Sequence, residues 1–423
     1  MNHTSHSKEG ALSLQDTSIL RIKLLTYMMF FVFAMTSDAV GVIIPELIKT
    51  YDLNLTQASA FHYVPMIFIA LSGLFLGYLA DKWGRKSTII LGLSIFSVAC
   101  FLFSAGSSFL YFLSLLALVG IAVGLFKTGA LALIGDISTS SKEHTATMNT
   151  VEGFFGVGAM VGPAIVSYLL VSGVSWKYLY ICAGVLCVLL CLAAMKTNYP
   201  RRNYPQTNPP KSNPLKAKGH AEGQINLKSS LKIMADPYAM GFSLAIALYV
   251  ATEVAIYVWM PTLLVEYSGS LVWLATYALT VFFALRAGGR FLGVWMLKHF
   301  SWQKVMFWFS LSVFFCYLGT AIMGVDAAVI LLPLSGLFMS MIYPTLNSKG
   351  ISCFPQAQHG AVAGVILFFT AVSAAIAPLL MGIVSDLFGH VAYGFYLATF
   401  FAAILALVAA YNLLKNPTQI KMQ

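Results

Sequence analysis

Long runs of apolar residues without a charge are the feature that most constrains this chain. Residues 61–76 and 89–126 contain no Lys, Arg, Asp or Glu. A run of about 18 such residues can cross the hydrocarbon core of a bilayer as a helix. The sequence therefore predicts twelve membrane-spanning helices, named spans 1 to 12. Their predicted limits are about 24–47, 59–80, 87–105, 110–134, 149–172, 176–195, 239–264, 271–297, 303–323, 327–349, 359–385 and 391–414.

The composition excludes a water-soluble globular protein. Of the 423 residues, 59% are hydrophobic and 9% are charged, whereas soluble proteins carry about a quarter charged residues. Runs of this length favour helices over a β-barrel. Residues 1–19 are polar and lack a signal-peptide pattern, so the expected protein is an all-α, multi-pass membrane protein.

The distribution of Lys and Arg predicts the orientation. If the N-terminus is cytosolic, 20 of the 25 cations lie on the cytosolic side, whereas Lys49 and Lys177 lie outside and three lie within spans. Both termini are then cytosolic, and the expected location is the inner, or plasma, membrane. The formal charge of +10 then belongs to the inner membrane surface, so nucleic acid is not an expected partner. The six cysteines show no metal spacing and are expected to be free thiols.

A basic, proline-containing stretch divides the chain into two halves. We expect a cytosolic tail at 1–20, a six-helix bundle at 21–195, a cytosolic linker at 196–238, a second six-helix bundle at 239–414 and a tail at 415–423. The halves resemble each other, because the residues at 75–77 followed by Lys82 recur at 291–293 followed by Lys298, at an offset of 216. Two such repeats are typical of alternating-access carriers, which bind substrate between them near the bilayer midplane.

The charged turn between spans 2 and 3 resembles motif A of the major facilitator superfamily. It has Gly77, Asp81, Gly84, Arg85 and Lys86 in the expected order and place. The resemblance implies the fold of that superfamily, two pseudo-symmetric bundles of six helices, and a gating role for the turn. We expect Arg85 to pair with Asp136 at the end of span 4, and Asp81 to face a helix end of the C-terminal half.

The C-terminal half narrows the resemblance further. Residues 289–295, 338–345 and 381–386 together look like the L-fucose/proton symporter family. This resemblance implies proton-coupled uptake of a small sugar. Span 5, with Gly162-Pro163, partly resembles an antiporter motif, but we interpret its glycines as helix packing.

Six charged residues fall within spans, where charges are costly and therefore candidates for function. They are Asp38, Lys127, Glu152, Glu253, Arg286 and Arg290. The alternative is a structural network of ion pairs, since three acids balance three bases. The family resemblance implies a carboxylate at the position of Lys127, and a lysine cannot replace that carboxylate in proton coupling of the same kind. Lys127 is either the ion-pair partner of Asp38 or Glu152, or a ligand for an anionic substrate.

Span 7 has the pattern most typical of a sugar site. Tyr249, Glu253 and Tyr257 are spaced i, i+4, i+8 and share a helix face, so a carboxylate lies between two phenols. Tyr343 and Asn347 repeat this spacing on span 10. The expected substrate ligands are Asp38, Lys127, Tyr249, Glu253, Tyr257, Arg286, Tyr343 and Asn347; Asp38, Glu253 and Glu152 are the candidates for proton coupling. His62 and Tyr63 are weaker candidates.

The predicted function is secondary active, proton-coupled uptake of a small sugar or related polar solute by a monomer in the lipid bilayer. No nucleotide, catalytic or metal motif is present, so neither an enzyme nor a cofactor is expected. One alternative is import of an organic anion such as a sugar acid, which Lys127 and Arg286 favour. Another is export of drugs or metabolites. A membrane sensor that does not transport is the alternative from another class, although its usual appended signalling domain is not seen in the short tails.

Overall fold

A computed structural model of the chain describes residues 3–76, 79–138, 141–199, 233–354 and 359–417; it describes their side chains except at 3–17, 73–75, 80–81, 132, 135, 141–146, 149, 294, 359–361 and 363–364. Twelve helical stretches among these residues are long and apolar enough to span a membrane, which confirms the predicted fold. Span 1 contains helices His3–Ser37 and Val40–Tyr51, span 2 Leu55–Leu76, span 3 Arg85–Leu102, span 4 Phe109–Ile137, span 5 Ser141–Val171, span 6 Lys177–Lys196, span 7 Pro237–Val254, the π-helical turn Ala255–Trp259 and Met260–Leu264, span 8 Ala278–His299, span 9 Trp302–Met323, span 10 Val325–Met339 and Ile342–Ser352, span 11 His359–Phe388 and span 12 Ala392–Lys415.

The predicted limits differ most from the observed ones at the starts of spans 1, 5 and 8. Span 5 begins at Ser141 and not at 149. The first helix begins at His3, so most of the predicted tail at 1–20 continues span 1 as a helix. Span 8 begins at Ala278 and not at 271, because a separate short helix, Val272–Thr276, ends at Tyr277 with non-helical backbone angles. Hydropathy shows only how long an apolar run is. It does not show a break in the helix within that run, so it placed the start of span 8 too early.

Three spans are interrupted near their middle. Span 1 breaks at residues 38–39, span 7 contains the π-helical turn, and span 10 breaks at 340–341. With the offset of 216, the break in span 1 corresponds to residues 254–255, where the π turn of span 7 begins. Interrupted helices are typical of the binding region of carriers, and π turns are frequent at functional sites.

The two halves contact each other mainly through three pairs of spans, of which span 1 with span 7 is described below. Span 2 packs against span 11, and span 5 packs against span 8. We name the end of the bundle that contains the turn at residues 52–54 the outer end, after the predicted orientation. Every hydrogen bond between the halves that joins described residues lies toward this end, including the bond from Ser167 Oγ to the Thr276 carbonyl at 2.8 Å.

Span 1 and span 7 approach each other very closely across the two halves. A Cβ atom built on Gly41 would lie 1.7 Å from the carbonyl oxygen of Tyr257, in the π turn. Only glycine fits there, because any side chain would collide with backbone atoms. Cys100, Cys182, Cys187, Cys191 and Cys316 are free thiols, as predicted, and of the six cysteines all except Cys182 are buried.

Candidate functional site

An ion pair of a buried glutamate and a half-buried arginine joins span 7 to span 8 in the C-terminal half. The Arg286 guanidinium nitrogen Nη1 lies 2.5 Å from Glu253 Oε1, and the two side chains are 24% and 9% exposed. Glu253 Oε1 makes this charge contact without hydrogen-bond geometry, and Arg286 Nε is buried without a hydrogen-bond partner. A close charge pair with unused donors and acceptors is equipped to bind a polar solute.

Aromatic side chains surround this pair. Tyr249 is fully buried and donates a hydrogen bond to the Met339 carbonyl at 3.2 Å. Its ring lies 6.3 Å from that of Tyr343 on span 10. Tyr257 and Asn347 are half-buried, and Tyr257 lies near both Glu253 and Asp38. Phenol rings beside a carboxylate can cover the apolar face of a sugar while the oxygens bind its hydroxyl groups.

Asp38 lies in the break of span 1, at the boundary between the halves. Its Oδ2 accepts a hydrogen bond from Ser37 Oγ at 2.8 Å. It interacts electrostatically with Arg286, Lys127 and Glu253. The break therefore places a carboxylate of the N-terminal half within electrostatic range of the ion pair in the C-terminal half.

Lys127 lies in a cage of three aromatic rings. Its Nζ is 4.6 Å from the ring centroid of Phe33, 5.2 Å from that of Phe155 and 5.7 Å from that of Phe30. No carboxylate of a described residue lies within 4.0 Å of Nζ, so the direct ion pair considered above with Asp38 or Glu152 is absent there. Cation–π contacts stabilise a desolvated ammonium by up to about 2 kcal/mol.

The remaining intramembrane charges lie at the margin of this cluster. Glu152 and Arg290 are both exposed. Glu152 interacts electrostatically with Lys127 and with Arg290. Among the residues that the structure describes, no group of His, Cys, Asp and Glu has the arrangement of a metal site.

His62 is closer to the site than its place in the sequence suggests. It is 4% exposed, and its ring centroid lies 5.4 Å from that of Tyr257 across the boundary between the halves. Its Nε2 is buried without a hydrogen-bond partner. Tyr63 is half-buried, and the structure gives it no contact that links it to the site.

The charged turn at the inner end contains the predicted pair. Arg85 Nε donates to Asp136 Oδ2 at 3.0 Å. Gly84 has a φ of +87°, a conformation that favours glycine, and it precedes the helix of span 3. Lys86 Nζ donates to the carbonyls of Met195 and Thr197 at 2.7 and 2.8 Å, which closes the C-terminus of span 6. Gly77 and the side chain of Asp81 lie outside the described part of the chain.

Comparison with protein families agrees with this architecture. Residues 26–378 match the Major Facilitator Superfamily. The chain belongs to the major facilitator superfamily. Because the members of this superfamily are carriers, the protein is a multi-pass membrane transporter and not an enzyme.

Individual members of the superfamily differ in how much of this carrier they match. The L-fucose-proton symporter of Escherichia coli is 25% identical over 400 residues, which cover 86% of each chain. The quinolone resistance protein NorA of Staphylococcus aureus is 31% identical over 157 residues, which cover 36% of this chain and 39% of that protein. A bacterial homolog of the human lysosomal transporter Spinster, solved in an inward-facing and unoccupied conformation, has a TM-score of 0.74 at 17% identity and covers 97% of this chain and 98% of that one.

Several residues near the site carry no signal in the sequence. Phe30, Phe33 and Phe155 are three of 31 phenylalanines, and nothing in their spacing singles them out as neighbours of Lys127. In the sequence His62 is a weak candidate, because a single histidine in a membrane segment is usually a packed residue with satisfied hydrogen bonds. Its unpartnered Nε2 is visible only in three dimensions.

Proposed function

We propose that this carrier imports a small polyhydroxylated solute of the sugar class together with protons. The observation that carries the proposal is the Glu253–Arg286 pair between tyrosines, with Asp38 facing it from the other half. Its unpaired polar atoms suit the hydroxyl groups of a sugar. Similarity to the L-fucose-proton symporter over 86% of both chains supports the same substrate class and the same coupling ion.

In this proposal, the halves at 21–195 and 239–414 move about the central site and expose it to each side in turn. Both termini lie in the cytosol, the protein acts in the inner membrane, and a monomer suffices. The contacts that join the halves toward the outer end belong to the state in which that end is closed. Asp38 and Glu253 are the groups that exchange the coupled proton, and Glu152 is a third candidate.

Lys127 favours a second candidate, uptake of an organic anion such as a sugar acid. With no carboxylate of a described residue within 4.0 Å, its ammonium is available to a carboxylate on the substrate. The aromatic cage would hold the charge in place while the Glu253–Arg286 pair binds hydroxyl groups. Export of amphipathic drugs has the weaker support of a similarity to NorA that covers 36% of this chain.

Two measurements on purified protein test the proposal. A thermal-shift assay compares L-fucose, D-glucuronate and a fluoroquinolone, which represent the neutral sugar, the sugar acid and the exported drug. Uptake of the stabilising compound is then measured in proteoliposomes with and without an imposed pH gradient. Accumulation of a sugar only with the gradient supports the proposal. Stabilisation by the fluoroquinolone alone contradicts it.

A further inference from the structure

Tyr317, on span 9, is a fully buried side chain whose hydroxyl reaches the backbone of another span. It is 0% exposed, and its hydroxyl donates a hydrogen bond to the Thr252 carbonyl of span 7 at 2.6 Å. Its ring packs against that of Phe395 on span 12, with the ring centroids 6.3 Å apart. A carbonyl inside an α-helix accepts the N–H four residues on, so a bond from another span competes with the bonds of the helix itself.

Thr252 lies just before the π turn of span 7. In an α-helix its carbonyl would accept the N–H of Ile256, but Ile256 lies within the π turn Ala255–Trp259. At the other end of the turn, the N–H of Met260 reaches a carbonyl five residues back. A side chain that inserts into the backbone bonds of a helix is one cause of such local breaks. The Tyr317 hydroxyl therefore bonds span 7 in the last α-helical turn before the break.

A proline on the outer side of the π turn explains why span 7 is interrupted, but not where. Pro261 has no N–H to give to the Tyr257 carbonyl four residues earlier, and a proline ring collides with that carbonyl in a regular helix. The surplus residue of a π turn can be accommodated at more than one place before the proline, and each place gives the side chains a different rotation. A bond on the inner side selects one of these places.

The place of the π turn decides which groups face the site. Glu253, just before the turn, lies against Arg286 of span 8. Tyr257, within the turn, has its ring 5.4 Å from that of His62 on span 2. The surplus residue corresponds to a rotation of about 100°, so a shift of the turn along span 7 would move one of these two side chains away from its neighbour.

Span 10 has a bond of the same kind at its own interruption. It breaks at residues 340–341, and the Tyr249 hydroxyl donates to the Met339 carbonyl, directly before the break, at 3.2 Å. Tyrosine hydroxyls thus bond the backbone beside the interruptions of both span 7 and span 10.

We propose that Tyr317 is a positioning residue for the solute site, because its hydroxyl fixes the π turn of span 7 at Ala255–Trp259. The fixed turn keeps Glu253 and Tyr257 in the orientations in which they meet their neighbours. Tyr317 acts through the backbone of span 7 and not by contact with the solute. This inference rests on the proposed binding of solute at Glu253 and Arg286.

The test is Tyr317→Phe in the full-length carrier, which removes the hydroxyl and keeps the ring. Backbone hydrogen exchange of residues 253–262 is measured without solute. The KM and the maximal rate of uptake are measured in proteoliposomes with L-fucose or D-glucuronate, whichever the wild type takes up. We expect exchange about fivefold faster and a KM about tenfold higher, with the maximal rate within about threefold of wild type. A general loss of stability would instead lower the amount of active carrier, and so the maximal rate, without raising KM.

Tyr238→Phe is the matched control on the same span. The Tyr238 hydroxyl also donates to a backbone carbonyl, that of Pro417 at 3.2 Å, at the inner end. Thr252→Val is a second control, because it keeps the carbonyl that Tyr317 bonds and removes only the Thr252 hydroxyl, which donates to the Leu248 carbonyl at 2.8 Å. We expect the wild-type KM in both controls. A rise in KM in Thr252→Val as large as that in Tyr317→Phe would contradict the proposal.

The outcomes separate this inference from the proposed function. If the wild type takes up neither probe, the proposed substrate class is wrong, and hydrogen exchange alone decides whether Tyr317 fixes the turn. If Tyr317→Phe leaves KM unchanged in a carrier that takes up the probe, the proposed function stands and the positioning role is overturned. If Tyr317→Phe does not fold, Phe395→Leu decides, since it loosens the packing of the Tyr317 ring; unchanged exchange of residues 253–262 then overturns the role.

Discussion

Asp386, at the outer end of span 11, closes the N-terminus of span 2 in the opposite half. Its Oδ1 accepts the Leu55 backbone N–H at 2.8 Å, and its Oδ2 accepts the Thr56 backbone N–H at 2.8 Å and the Thr56 hydroxyl. The carboxylate takes the place of a helix N-cap, where unpaired N–H groups and the helix dipole favour an anion. Because this cap comes from the other half, it exists only while the outer ends are together.

We expect Asp386→Asn to shift the carrier toward the state that is open at the outer end. An amide presents N–H groups where the carboxylate accepted three hydrogen bonds, and charge-assisted bonds of this kind contribute roughly 1.5–3 kcal/mol each. Loss of about 1.4 kcal/mol changes the equilibrium tenfold. Spin labels at the exposed residues Ser172 and Ser270, one in each half, should report a longer distance. Asp326→Asn, which removes an exposed acid at the same end, should leave the distance unchanged. An unaltered distance in Asp386→Asn contradicts this role.

Gly41→Ala should prevent the same closure by a different route. The added Cβ would lie 1.7 Å from the Tyr257 carbonyl oxygen, so span 1 and span 7 cannot meet as they do here. We expect the transport rate to fall at least tenfold, while the protein still folds, because each half retains its own packing. Gly156→Ala, at a position where a Cβ meets open space, is the control. Normal transport by Gly41→Ala would rule out this contact as part of the cycle.

Glu253→Gln should abolish accumulation driven by a pH gradient and retain exchange of substrate across the membrane. The amide keeps the shape of the side chain but cannot release a proton. It also leaves the half-buried Arg286 without its counter-charge, which destabilises the folded state, so the melting temperature should fall. The double variant with Arg286→Gln should recover part of that stability without restoring accumulation. Full accumulation by Glu253→Gln would move the coupling role to Asp38.

Lys127→Ala separates the two roles considered for this lysine. If Lys127 binds an anionic substrate, the variant should express normally, lose stabilisation by D-glucuronate and keep any stabilisation by L-fucose. If Lys127 instead balances Asp38 and Glu152 at longer range, expression should fall and a second change, Asp38→Asn, should recover part of it. A stable variant with complete proton-driven uptake of a neutral sugar would exclude both roles. Phe33→Leu, which removes the nearest ring of the cage, should weaken the same property as Lys127→Ala, but less.

For the charged turn between spans 2 and 3, we expect substitutions to change the transport rate and not the affinity for substrate. Asp81→Asn should slow cycling between states and leave equilibrium binding of substrate nearly unchanged, as expected of a gate residue. Arg85→Gln and Asp136→Asn should each lower stability, and their effects should not add, because the two side chains form one ion pair. Transport at the wild-type rate by Asp81→Asn would show that the turn has no gating role.

The sequence predicted the number of spans because apolar length is a local property that each run carries by itself. It also predicted the Arg85–Asp136 pair, since the motif supplied Arg85 and the end of span 4 supplied an acid on the same side of the membrane. It did not predict that Glu253 pairs with Arg286, because six intramembrane charges allow several pairings and only packing selects one. The phenylalanine cage around Lys127 and the Asp386 cap likewise combine residues that are far apart in the chain.

The stripe formed by Tyr249, Glu253 and Tyr257 shows the limit of arguments from helical spacing. The α-helical spacing i, i+4, i+8 holds from Tyr249 to Glu253, within Pro237–Val254. Tyr257 lies in the π turn, where five residues no longer follow that period. Its ring therefore meets His62 in the other half, an orientation that the sequence pattern does not indicate.

The π turn also divides span 7 into two helical segments, an inner rod and an outer rod. The two rods are rotated relative to each other about the helix axis. One residue in an α-helix corresponds to a rotation of about 100°, so the surplus residue turns the outer rod, Met260–Leu264, away from the face that the inner rod presents. The inner rod faces the Arg286 side chain, whereas the outer rod packs against Val40–Tyr51 of span 1. A substitution in one rod can therefore alter the contacts of that rod without rotating the other rod. Affinity for the solute depends on the inner rod and closure of the outer end depends on the outer rod, so the two properties can diverge independently among related carriers.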